Sequence, residues 1–205
     1  MISNEKIRLL EAWRINPFRE LSIAEIMKEA KKETKTWIFN ALKLLVNNNI
    51  LKSIRKANLD IYTLNLENPL SLQLLQYLET QDNLNFSQLK VISEIIEKSP
   101  VKNLSIVVFG SYAQNKQTKT SDLDICILIE DKNIERKIKP YINEIKLNYP
   151  IEIHEHYIAF NDFVKMLLRE EENLAKQIFI KRKLFYNSEI YYKLLKEAHK
   201  NGFRP

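Results

Sequence analysis

Along the first 50 positions, apolar residues recur every three or four places. Ile7, Leu10 and Trp13, with Leu9 beside them, predict an amphipathic helix across residues 4–15. Ser22-Ile23-Ala24-Glu25 has the form of a capping box, so a second short helix is expected to start there. A third opens near Thr34 or Thr36 and turns Trp37, Ile38, Ala41, Leu42, Leu44 and Leu45 inward until the Asn47–Asn49 run stops it. The period then changes to two: ILKSIRK, the turn-like ANLD and IYTLN predict a hairpin. NPLSLQLLQYLE reads as a helix after Pro69, the polar stretch ETQDNLN marks a boundary near residue 82, and FSQLKVISEIIEKSP is a further helix stopped by Pro100.

Two later runs are apolar throughout. LSIVVFG (104–110) and LDICILI (123–129) are rich in β-branched residues and predict buried strands. PIEIHEHYI (150–158) alternates instead, with Glu152, His154 and His156 on one face and Ile151, Ile153 and Glu155 on the other. The tail from Phe160 reads as two or three amphipathic helices, with Asn161 and Ser188 as N-caps and Gly202 near the stop. Tyr191, Leu194, Leu195 and Ala198 form an apolar face expected to pack on their own domain.

Three helices followed by a two-stranded wing resemble the winged helix-turn-helix domains of archaeal and bacterial transcription regulators, over about residues 4–66. The expected organisation is a winged helix-turn-helix domain (1–66), a helical connector (67–82) and a second domain with C-terminal helices (83–205). The resemblance implies that Thr34, Lys35, Thr36, Asn40 and Lys43 face outward from the third helix, with Arg55 and Lys56 on the wing. Those are phosphate and base-edge donors for DNA. Charge agrees in sign: residues 1–65 hold 12 Lys and Arg against 7 Asp and Glu, whereas residues 66–205 hold 20 against 19. A solvated basic face, or a module that packs on the second domain or on a partner protein, gives the same bias.

Composition narrows the class. The single cysteine, Cys126, excludes an internal disulfide and suits a reducing cytoplasm. No apolar run approaches the roughly 20 residues that span a bilayer, and no leader pattern opens the chain. A cytoplasmic protein without a membrane partner is expected.

Chemistry concentrates in VVFGSYAQNKQTKTSDLDICILI, residues 107–129. The chain has two glycines, and Gly110 ends an apolar strand, where lack of a Cβ lets backbone approach a ligand closely. Amides that follow it can converge on a phosphate. Asp122 and Asp124 share one strand face and repel each other unless a cation lies between them. Gly110-Ser111, a ten-residue spacer and Asp122-Leu123-Asp124, within the words FGSYA and SDLDI, resemble the minimal nucleotidyltransferases of the DNA polymerase β superfamily.

That resemblance implies an α+β domain with a mixed sheet flanked by helices. It also implies two Mg²⁺ ions, held by Asp122, Asp124 and a third acid, and Glu152, flanked by isoleucines, best fits that third position, with Glu155 as the alternative. Gly110, Ser111 and Ser121 would hold the nucleoside triphosphate, ATP among the candidates, and a nucleoside monophosphate would pass to a hydroxyl. One departure is visible: many members have Arg-Gly where this chain has Gln114-Asn115, so a phosphate contact is lost unless Lys116 or Lys119 replaces it. A zinc site on His154 and His156 lacks further ligands in the sequence. The competing reading is a degenerate transferase acting as a DNA-binding regulator, or as an antitoxin with a helical partner protein.

Overall fold

The apolar positions of the N-terminal third become the buried faces of short helices in the computed structural model, which describes residues 2–31 and 34–205. Contacts divide the chain into two compact units, residues up to Leu78 and Glu79–Arg204.

In the first unit, the helix expected over 4–15 is broken into α1 (Asn4–Ile7), a 3₁₀ turn (Arg8–Leu10) and α2 (Glu11–Arg14). The tighter turn falls where the adjacent Leu9 and Leu10 are both buried. Trp13 is buried, and its indole N–H donates to the Arg19 carbonyl at 2.9 Å. Strand β1 (Leu21–Ser22) leads into α3 (Ile23–Ala30), whose capping box is complete. The Glu25 amide donates to Ser22 Oγ at 3.4 Å, and the Ser22 amide donates to Glu25 Oε2 at 2.8 Å. Helix α4 (Lys35–Asn47) buries Ile38, Ala41, Leu42 and Leu45, while Trp37 and Leu44 are only half-buried. Strands β2 (Leu51–Lys56) and β3 (Leu59–Leu64) follow, joined through Ala57 and Asn58, with Ala57 at φ 51°. β1 pairs antiparallel with β3 to give the order β1-β3-β2. A two-residue strand is too short to leave a periodic trace, which is why the pattern predicts only two strands.

Helix α5 (Pro69–Asn83) starts on proline, whose missing amide costs nothing in a first turn. The polar stretch from Glu79 forms the last turns of this helix, which ends at Asn83, next to the boundary expected near residue 82. Its polar groups are bonded inside the second unit: Tyr192 Oη donates to Glu79 Oε1 at 2.7 Å, and Asn83 Nδ2 donates to the Leu184 carbonyl at 2.6 Å.

The second unit is built on a mixed sheet in the order β6-β5-β4-β7. After α6 (Leu89–Lys98), β4 (Leu104–Val108) runs antiparallel to both β5 (Leu123–Ile129) and β7 (Lys183–Tyr186). The four-residue helix α7 (Gly110–Ala113) lies between β4 and β5. β6 (Ile153–Ala159) is parallel to β5, so the chain needs a crossover, and α8 (Asn133–Asn148) supplies it. Ile134, Ile138, Ile142 and Ile145 form the buried stripe of α8, which also carries Pro140. Ile106, Val108, Ile125, Ile127 and Ile129 pack with α6 and α8 in one core.

Alternation sends Val107, Cys126 and Leu128 to the other face, where they are equally buried. On that side, α9 (Phe160–Leu168) and α11 (Ser188–Lys200) contact the sheet and each other, with α10 (Leu174–Ile180) beside α9. Helices on both faces explain why the two central strands are apolar at nearly every position. Tyr191, Leu194, Leu195 and Ala198 are buried, as the apolar face of the tail predicts.

The tail departs from expectation in three ways. Asn161 lies within α9, and Asn173 is instead the cap of α10, its side chain accepting from the Lys176 amide at 3.3 Å. Ser188 is the first residue of α11, preceded by Asn187 in left-handed backbone at φ 46°. Asn187 Nδ2 ties this corner to β4 by donating to the Lys102 and Leu104 carbonyls at 2.8 and 2.9 Å. Third, β7 completes the sheet where only helix was expected. Its entry is disguised by charge: Arg182 and Lys183 are buried, the former over the Tyr191 ring at 4.5 Å, the latter bonded to Asp82 Oδ2 at 2.8 Å.

Candidate active site

Gly110 closes β4 under two constraints. Its backbone is left-handed, at φ 67°, and a Cβ there would lie 2.1 Å from Asp124 Oδ2 and 3.1 Å from Asp124 Cγ. Only glycine satisfies both. The preceding Phe109 is extended and donates its amide to the Asp124 carbonyl at 3.1 Å, so β4, the turn and the second aspartate form one connected structure. α7 then closes on itself: the Gln114 and Lys116 amides both donate to the Ser111 carbonyl, at 3.2 and 3.0 Å, and Gln114 Nε2 donates to the Gly110 carbonyl at 3.2 Å. Asn115 stands at φ 54°, a left-handed conformation that asparagine tolerates better than most residues. Ser121 braces the loop before the aspartates, its Oγ accepting from the Thr118 amide at 2.8 Å.

The parallel register of β5 and β6 decides what faces the aspartates. Leu123 pairs with Ile153 and Asp124 with His154, and the Leu123 amide donates to the Glu152 carbonyl at 2.8 Å. Glu152 and His154 therefore stand beside Asp122 and Asp124. A carboxylate oxygen of Asp122, one of Glu152 and a ring nitrogen of His154 lie within 4.8 Å of one another. His154 Nε2 is 2.9 Å from Glu152 Oε1, while Nδ1 is 3.6 Å from Asp122 Oδ2 and 4.0 Å from Asp124 Oδ1.

Electrostatics follow the geometry. The hydrogen bond to Glu152, then the nearby carboxylates, raise the proton affinity of His154 above that of an ordinary imidazole. Partial burial pushes the Asp124 carboxyl up, while the His154 and His156 imidazoles pull it down. Glu155 occupies the opposite face, nearly buried and ion-paired with Lys146 of α8, so it does not join the cluster. His156 packs its ring on Phe109, centroids 5.5 Å apart. The donor set of carboxylate oxygens with one imidazole, half open to solvent, fits a divalent cation.

Residues considered for nucleic acid lie in the first unit. Thr34, Lys35, Thr36, Asn40 and Lys43 are exposed. Both candidate cations of the β2–β3 hairpin are engaged: Arg55 Nη1 binds Asp60 Oδ1 at 3.1 Å, and Lys56 pairs with Glu20. Arg55 and Asp60 are direct cross-strand partners, a pairing that becomes legible once the turn is reduced to two residues. His154 stands inside the acidic cluster, a position the strand pattern alone does not assign. Its place two residues after Glu152 on the same face was the available signal.

Comparison with known proteins gives the family. Residues 89–187 match the family model described as Nucleotidyltransferase domain. "Putative protein adenylyltransferase MJ1547" of Methanocaldococcus jannaschii is 31% identical over 108 residues, 50% of this chain and 84% of that protein. "Putative protein adenylyltransferase MJ0126" of the same organism is 36% identical over 83 residues, 38% of this chain and 80% of that protein. The chain belongs to the nucleotidyltransferase family. A structure described as "Crystal structure of the toxin-antitoxin with AMP-PNP" aligns at TM-score 0.37 and 15% identity, over 54% of this chain and 83% of that one, a likeness too distant to carry argument. Among the described residues no helix is long and apolar enough to cross a membrane.

Proposed function

We propose that this protein transfers a nucleoside monophosphate from a nucleoside triphosphate to a hydroxyl group, with adenylyl as the group moved and a protein side chain as the acceptor. The observation that carries the reading is the missing Cβ of Gly110, whose place Asp124 fills, in a register that sets Glu152 and His154 beside Asp122. The adenylyl group and protein acceptor rest on what the two archaeal relatives are named for.

Each part of the site has a task on this reading. Asp122 and Asp124 are the residues that hold the cations, and the third member of the cluster comes from β6, where Glu152 and His154 stand together. Held by these side chains, Mg²⁺ would supply positive charge to offset the negative charge of the group in transfer. The turn from Gly110 to Ser111 offers backbone amides and a hydroxyl to the β and γ phosphates. Ser121 holds the loop that delivers Asp122 to the site.

The first unit supports a second, accessory reading. Its order of helices and hairpin, with the exposed polar face of α4, suits a winged helix that touches duplex DNA.

Thermal melting with ATP, GTP, CTP and UTP, with and without Mg²⁺, tests the main reading. Nucleotide should stabilise the wild type only when Mg²⁺ is present, most with ATP, and should leave the Asp122→Asn, Asp124→Asn double variant unmoved. Equal shifts in both proteins would overturn the site.

A further inference from the structure

We propose that His154 Nδ1 completes the cation site with Asp122 and Asp124, and that Glu152 is its positioning carboxylate on Nε2, so that the site favours a divalent transition-metal ion over Mg²⁺. This rests on the cation-binding role given above to the two aspartates, and changes which β6 side chain meets the ion.

The two ring nitrogens are used differently. Nδ1 faces both aspartates, 3.6 Å from Asp122 Oδ2 and 4.0 Å from Asp124 Oδ1. Atoms that each lie about 2.1 Å from one cation stand about 3 to 4 Å apart, and Nδ1 meets that spacing to an oxygen of each aspartate. Nε2 is already bonded to Glu152 Oε1 at 2.9 Å. A ligating imidazole typically gives its second N–H to a carboxylate, which fixes the tautomer and strengthens the ligand, and Glu152 stands in that position. The backbone enforces the arrangement: His154 is the register partner of Asp124, and the Leu123 amide holds Glu152 by its carbonyl. Asp122, Asp124, Glu152 and His154 all lie on the face defined by the alternation of β5 and β6.

The donor set then decides the ion. Oxygen-only sites suit Mg²⁺, whereas an imidazole nitrogen raises affinity for transition metals along the series from Mn²⁺ to Cu²⁺. Glu152 therefore acts on the cation through His154.

The test uses the full chain and Co²⁺ as the probe, followed by visible absorption and by proton NMR, with Mg²⁺ as competitor. The wild type should bind Co²⁺ and show a paramagnetically shifted, exchangeable imidazole N–H signal. His154→Asp should lose that signal, keep cation binding and lower the Co²⁺-to-Mg²⁺ preference about tenfold or more. His154→Asn, a second variant at this exposed position, should lose the signal as well. Glu152→Gln should keep the signal with Co²⁺ affinity reduced about tenfold. Suppose Co²⁺ binds and Asp122→Asn abolishes it, yet no N–H signal appears and His154→Asp leaves the preference unchanged. The inference then falls while the aspartate site stands. Binding of neither cation to the wild type would overturn the aspartate site, and the inference with it.

Discussion

The two units present their polar chemistry in opposite ways. In Glu79–Arg204, Gly110, Asp122, Asp124, Glu152 and His154 come from three separate stretches and converge because one sheet register brings them together. In the N-terminal unit, Lys35, Asn40, Lys43, Arg55 and Lys56 are spread over an exposed helix and an edge strand, and two of them are already held by Asp60 and Glu20. An excess of charge marks a surface, whereas a site needs groups whose positions the backbone dictates. The first kind tolerates substitution and the second does not.

That contrast can be broken most directly at the aspartates. Asp124→Asn should lower transfer of label from α-labelled ATP about 100-fold or more, with the melting temperature nearly unchanged. Lys35→Ala together with Arg55→Ala should leave the same transfer rate intact. Equal losses would show that both units form one site.

Gly110→Ala probes the convergence without replacing a charged residue. The new Cβ would displace the Asp124 carboxylate and hold alanine in left-handed backbone, so stability should fall by about 1–2 kcal/mol in denaturant melts, with transfer lost alongside. An alanine variant as active as the wild type would break the argument for the site.

In the first unit the comparable test is local. Ser22→Ala removes the α3 cap and should cost about 1 kcal/mol at neutral pH, with no effect on transfer. Bonds from the Ser22 amide and hydroxyl hold the Glu25 carboxyl below its ordinary range. A depressed carboxyl contributes stability that is complete above its unfolded value and is lost as pH falls through the folded one. The gap between wild type and Ser22→Ala should therefore narrow in acid.

The smallest expected effect concerns DNA. Binding to random duplex should weaken with salt, and Lys35→Ala should reduce the log–log salt slope by about one. Arg55→Ala should leave the slope nearly unchanged, because Asp60 already neutralises it. A larger effect of Arg55 would show that the hairpin releases its cation to a phosphate.

Legibility followed how locally each feature is encoded. β4 and β5 were visible because both faces of each are covered and the runs stay apolar. The Ser22 capping box was visible because its partners are three residues apart. β7 was hidden, since its entry places Arg182 and Lys183 inside, where the Tyr191 ring on the next helix and Asp82 from a remote part of the chain receive their charge. The partners of the polar end of α5 were hidden because Glu79 and Asn83 find them about 100 residues away. Within the site, spacing alone marked Gly110, Asp122 and Asp124. Alternation in residues 150–158 separated Glu152 from Glu155 but could not say which face the aspartates share.

The sequence by itself determined the strand–turn–strand that carries the two aspartates, because glycine at a left-handed turn and acids two apart on a strand are local requirements of backbone geometry. Only the tertiary structure decided their company. Parallel pairing of β5 with β6 across the α8 crossover sets which side chains stand opposite, and a shift of one residue would exchange Glu152 and His154 for Ile153 and Glu155. Register is a property of two strands held together by a shared core, and neither strand encodes it alone.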